Sequence, residues 1–108
     1  MTNTATQNKG NKMIAKTILE QLGGNKFRVM TGAKNFMDHG NALSMKIGRN
    51  SSNSNYMKIT LNSMDLYDIT FAKVTKMGEM KSVKEFNGVY ADMLQEIFTN
   101  HTGMYTSL

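Results

Sequence analysis

The chain has 108 residues, with 13 Lys and Arg against 8 Asp and Glu, 40% hydrophobic residues, 11 Met and no Pro, Cys or Trp, a size that fits one domain. Without cysteine, disulfides, thiolate nucleophiles and every cysteine-ligated zinc or iron–sulfur site are excluded. No apolar run approaches the ~18 residues that cross a bilayer, and residues 1–12 offer no hydrophobic segment for a secretion signal, so the expectation is an intracellular protein with no membrane partner.

Taken in chain order, residues 1–11 (MTNTATQNKGN) are polar, cannot repay the entropy of ordering, and read as a flexible tail ahead of a single domain over 12–108. Asn11 is a plausible N-cap for a helix on which Ile14, Ile18 and Leu22 recur every four residues, flanked by Ala15 and Leu19. Gly23-Gly24 closes it, since glycine accepts the left-handed conformation of a last turn. The period then changes to two. Phe27 and Val29 alternate with Lys26 and Arg28 in Lys26–Thr31; Leu43, Met45 and Ile47 alternate with Ser44, Lys46 and Gly48 in Ala42–Arg49; Met57, Ile59 and Leu61 alternate with Tyr56, Lys58 and Thr60 in Tyr56–Asn62. Each predicts a half-buried strand. Leu66–Thr75 reads as a fourth strand that lies centrally or is covered on both faces, and Lys81–Phe86 as a weaker fifth. Polar Asn50–Asn55, the tighter Asn62–Asp65 and Lys76–Met80 supply the turns. From Asn87 a helical face returns through Val89, Tyr90, Met93, Leu94, Ile97 and Phe98, ending at Gly103. The expected fold is α+β: an antiparallel sheet of four to five strands with an N-terminal and a C-terminal helix packed on one face. Methionines such as Met45, Met57 and Met93 are assigned to the core, where flexible thioethers fill irregular gaps.

Catalytic chemistry finds little to stand on. His39 and His101 are the only histidines, and Asp38-His39 adjacency does not make their side chains converge. No pattern of closely spaced histidines or carboxylates supplies three or four metal ligands, so neither a metal nor another cofactor is expected. Asp65, Asp68 and Glu79 could approach one another, with nothing specific to recommend paired-carboxylate hydrolysis. Thr31–Asn35 combines glycine, hydroxyl, ammonium and amide without the spacing of a phosphate loop, and is read as a glycine bulge that turns Phe36 into the core. The expected protein is not an enzyme.

Charge is the stronger signal. Residues 1–60 carry nine basic and two acidic side chains, a balance of +7, and residues 61–108 carry four basic and six acidic, a balance of −2. With the apolar positions turned to the helices, Lys26, Arg28, Lys46, Tyr56, Lys58 and Thr60 share the opposite face, where the Asn50–Asn55 hairpin brings Lys46 near Lys58. Ammonium and guanidinium groups neutralise phosphates and a tyrosine ring stacks on a base, which is the chemistry of single-stranded nucleic acid binding. Lys34 and Arg49 would extend the track. The alternatives are an ordinary solvated face, or a protein-binding role that modulates a host protein such as a defence enzyme through an exposed sheet edge or the Met104–Leu108 tail, with Met104, Tyr105 and Leu108 as apolar anchors unless the tail folds back on its own core.

Three segments, LGGNKFRVMTGAKNF (Leu22–Phe36), ITLNSMDLYDITF (Ile59–Phe71) and FNGVYADMLQEIFTNHTGMYTSL (Phe86–Leu108), resemble a family of small, uncharacterised bacteriophage, prophage and other mobile-element proteins. The resemblance covers most of the chain beyond Leu19 and implies a phage setting within a bacterial host cytoplasm. It carries over no functional residue. In topology, four strands followed by a helix are similar to the Whirly-type single-stranded-DNA-binding domains, which work as homo-oligomers.

Overall fold

A computed structural model describes residues 14–48, 50, 52–104 and 106. Asn11, the 1–11 tail, Arg49, Tyr105 and Leu108 lie outside the described residues. Residues 14–22 are helical (α1), and Ile18 and Leu22 are fully buried. Gly23 N–H donates to Glu20 O and Gly24 N–H to Leu19 O, so paired glycine bonds close the helix as its sequence predicts.

The next segment corrects the strand expected at Lys26–Thr31. Asn25–Thr31 is a second helix, α2, with Phe27 and Thr31 buried one turn apart and Val29 75% exposed. Two apolar residues two apart were too few to fix the period. The helix is secured instead by the Thr31 hydroxyl, which donates to Phe27 O at 2.6 Å, and by Gly32, whose left-handed conformation lets its N–H donate to Arg28 O.

The five strands are β1 (Lys34–Asp38), β2 (Ala42–Lys46), β3 (Tyr56–Leu61), β4 (Tyr67–Val74) and β5 (Met80–Val89). They form one antiparallel sheet in the order β1-β2-β3-β4-β5. β1 takes the place in the sheet expected of Lys26–Thr31. The bulge expected at the Thr31–Asn35 glycine is not made by that glycine: Gly32 caps α2, and the register shift lies between Lys34 and Met37, where Asn35 adopts φ 57° and Phe36 packs against the core as expected.

β5 is the longest strand rather than a weak one, and it runs through Asn87 to Val89. The helix expected from Asn87 therefore does not begin there. Val89 is buried as a strand residue opposite Tyr67, while Tyr90 and Met93, expected on an apolar helical face, are exposed. A 3-10 turn (Ala91–Met93) leads into α3 (Leu94–Thr102), which buries Leu94, Phe98 and Thr102 and ends at left-handed Gly103.

One face of the sheet carries the core. Leu43 faces Ile59 and Met45 faces Met57 across β2 and β3, Met57 faces Phe71, and Ile59 faces Ile69 across β3 and β4. The helices supply Ile18, Leu22, Phe27, Leu94 and Phe98 to the same cluster. Aromatic contacts tie the layers together: Phe27 meets Phe98 edge-on at 5.1 Å, Phe98 lies 6.4 Å from Phe71, and Phe71 stacks on His101 at 4.2 Å. The architecture is α+β, with helices in the N-terminal and C-terminal regions of an antiparallel sheet.

Candidate nucleic-acid interface

Because partners directly opposite in an antiparallel pair point to the same side, strand pairing defines the open face residue by residue. One row crosses all five strands: Lys34 opposite Lys46, Lys46 opposite Tyr56, Tyr56 opposite Ala72 and Ala72 opposite Ser82. A second row runs through Met37, Ser44, Lys58, Thr70 and Glu85. A third contains Ala42, Thr60 and Asp68. Lys46 and Lys58 are thus diagonal neighbours, with Tyr56 beside both.

Four of the seven residues expected to meet nucleic acid, Lys34, Lys46, Tyr56 and Lys58, therefore share this face. Lys26 and Arg28 do not: both belong to α2, and the Arg28 guanidinium sits 5.8 Å from the ring of Phe36. Lys34 joins the face as the first residue of β1. Two of the expected tail anchors, Tyr105 and Leu108, cannot be placed, and Met104 packs half-buried against the core. Thr106 is buried, and its hydroxyl donates to Gln95 Oε1 at 3.0 Å.

The lysines of the open face are unspent. None is ion-paired with a carboxylate among the described residues. The two carboxylates on that face have other work: Asp68 Oδ1 accepts from Gly88 N–H at 3.0 Å and from Asn62 Nδ2 at 3.2 Å, and Glu85 Oε2 accepts from the Ser82 hydroxyl at 3.3 Å. Ser44 is buried on this side because His39, reaching back from the β1–β2 turn, bonds its hydroxyl through Nε2 at 2.8 Å. Lys34 facing Lys46 is a like-charge pair, which costs stability unless an anion sits between.

A second basic group was not foreseen. The β4–β5 hairpin from Lys73 to Lys84 contains four lysines and one glutamate, inside the half of the chain whose total is acidic. Summing charge over that half concealed it; the run KVTKMGEMKSVK was the available signal. Lys73 faces Lys81 directly, and Lys84 faces Phe71, which puts all three on the helix side of the sheet, opposite to the open face. Lys73 Nζ lies 3.5 Å from Asn53 Oδ1, and Lys84 Nζ lies 5.6 Å from the Phe86 ring. His101 stacks between Phe71 and Phe86, with Nε2 3.5 Å from the Ser54 hydroxyl. Its burial, with the Lys84 charge as the lesser cause, holds its pKa below the ordinary value of 6.5.

No group of three or more His, Asp or Glu residues among those described is placed to hold a metal ion. No helix among them is long and apolar enough to cross a membrane. Comparison with family models, curated proteins and solved structures gives no match for the chain.

Proposed function

We propose that this protein is a non-enzymatic, phage-type accessory protein that binds single-stranded nucleic acid on the open face of its sheet, largely without regard to base sequence. The observation that carries the reading is the juxtaposition of Lys34, Lys46 and Lys58 around Tyr56, with no carboxylate among the described residues paired to any of the three. Three ammonium groups supply sequence-independent phosphate contacts, and the half-exposed tyrosine offers a platform to a base of any identity. The phage setting rests on the family resemblance of the three sequence segments.

The test is fluorescence anisotropy with labelled single- and double-stranded oligonucleotides over a salt series. Three phosphate contacts give a slope of roughly −2 in log K against log salt, or about a 20-fold loss between about 50 and 200 mM salt. Lys46→Glu with Lys58→Glu should abolish most of the affinity, and Tyr56→Ala should cost ~1–3 kcal/mol on single strands. Absence of binding at low salt, or an affinity indifferent to the double charge reversal, refutes the reading.

A further inference from the structure

We infer that the bound strand crosses the sheet perpendicular to the β-strands, along the Lys34–Lys46–Tyr56–Ala72–Ser82 row, and turns round the β5 edge onto Lys73, Lys81 and Lys84 on the helix side. This path rests on the nucleic-acid reading above and adds a second site to it.

Charge selects the row. The second row ends on Glu85 and the third contains Asp68, and both carboxylates repel phosphate. The first row contributes no acid of its own, although Glu85 Oε2 accepts from the Ser82 hydroxyl at its β5 end, and between Tyr56 and that edge it holds only the fully buried Ala72 and the small Ser82. Five strands spaced ~4.8 Å apart make this crossing about 19 Å long.

The edge then determines what comes next. β5 is the last strand of the sheet, and residues 76–85 are exposed throughout. Register shifts between Phe71 and Ala72, whose partners on β5 are Lys84 and Ser82, so Val83 is the extra residue of a bulge. That bulge keeps Ser82 on the open face while setting Lys81 and Lys84, on either side of it, on the helix side. With Lys73 directly opposite Lys81 and Lys84 three residues along β5, three lysines share the helix side just beyond the point where the row ends, Lys73 reaching toward Asn53 and Lys84 toward the Phe86 ring. None is ion-paired with a carboxylate among the described residues. A phosphate placed among them would relieve the repulsion of the Lys73–Lys81 pair.

The experiment compares labelled oligothymidylates of about 4 and about 16 nucleotides, the ends of the usual range of site sizes, on the full chain and on two triple variants. Replacing Lys73, Lys81 and Lys84 by Gln should leave affinity for the short oligomer within twofold while reducing the salt slope for the long one by about 2. Replacing Lys34, Lys46 and Lys58 by Gln should weaken both. In the unaltered protein, the long oligomer but not the short one should protect Lys81 and Lys84 from chemical acetylation, a readout independent of how any variant folds. If the unaltered protein binds the long oligomer but the hairpin variant keeps its slope and the acetylation pattern is unchanged, the path is wrong and the open-face reading survives. Loss of short-oligomer affinity in the hairpin variant also overturns the path, by making the hairpin the primary site. So does binding to vesicles of anionic phospholipid that the hairpin variant loses while its DNA slope stays intact. If neither oligomer binds, it is the proposed function that fails.

Discussion

Replacing Gly48 by Ala probes the contact that fixes α2 against the end of β2. Gly48 N–H donates to Thr31 O at 3.0 Å, and a Cβ built on Gly48 would stand 2.7 Å from that same oxygen. Its φ lies outside the left-handed region, so an alanine here meets no backbone penalty and its effect has to come from the contact. Were the site open, the substitution would stabilise by ~0.4–1 kcal/mol through the unfolded chain. The backbone oxygen cannot swing aside as a side chain would, so α2 must move away. That movement gives up the hydrogen bond, worth ~1 kcal/mol net, and disturbs the packing of buried Phe27 and Thr31 at a cost of ~1–3 kcal/mol. The balance is a loss of about 2 kcal/mol, or roughly 10 °C in melting temperature for a domain of this size. Thermal melts followed by circular dichroism measure it, and amide exchange should show faster opening at residues 32 and 48. Gly48→Ser should cost about as much as Gly48→Ala, because the clash is made by Cβ itself. A neutral or stabilising Gly48→Ala would refute the close approach between the two segments.

Phe98→Ala removes the ring that meets both Phe27 and Phe71 and should cost ~3–5 kcal/mol in urea denaturation; a loss below about 1 kcal/mol would mean that α3 is not seated on the sheet. His101 gives a pH signature whose sign is fixed by its lowered pKa. The folded protein binds the imidazole proton less readily than the unfolded chain, so this residue's contribution is fully present above pH 6.5 and is lost as pH falls through the folded value. Urea midpoints should therefore drop between about pH 7 and pH 5, and His101→Phe, which keeps the stack on Phe71, should flatten that part of the profile; an unchanged profile would dismiss His101 as its source.

What could be read from the sequence follows how many residues on each element are covered. α1 was legible because Ile18 and Leu22 continue a stripe that a glycine pair closes, and β2 and β3 because three apolar residues alternate on each. α2 was not. In a seven-residue element, Phe27 with Val29 imitates a strand and Phe27 with Thr31 makes a helix, and the choice falls to the Thr31 hydroxyl and to Gly32. β1 offers a single half-buried side chain, Phe36, to a period count. Met80–Glu85 of β5 are all exposed, so that part of the strand has no alternation to display. The same causes divide the site. Lys46, Tyr56 and Lys58 were placed together because the NSSNSN loop and two clear strands set their register. Lys26 and Arg28 were misplaced with α2, and the Lys73, Lys81 and Lys84 group needed the β5 bulge, which no periodicity announces.

The bulge also bears on how the molecule carries its charge. A total of +5, or the division into +7 and −2 halves, treats the chain as a line, whereas a polyanion meets a surface on which strands distant in sequence are adjacent. On the open face the lysines occupy β1 to β3 and the carboxylates β4 and β5, so the field is graded across the sheet. Lys58 and Glu85 share a row two strands apart, about 10 Å by strand spacing. That is close to the screening length of ~10 Å at 0.1 M salt, and the acidic end therefore attenuates the basic end only weakly. Asp68 and Glu85 belong to the third and second rows and raise the energy of a phosphate there most, while the first row meets a carboxylate only where Ser82 bonds Glu85. Only at Ser82 does that row reach an edge with lysines immediately beyond it. The single extra residue in β5 is what brings the end of the first row, at Ser82, beside the second basic group.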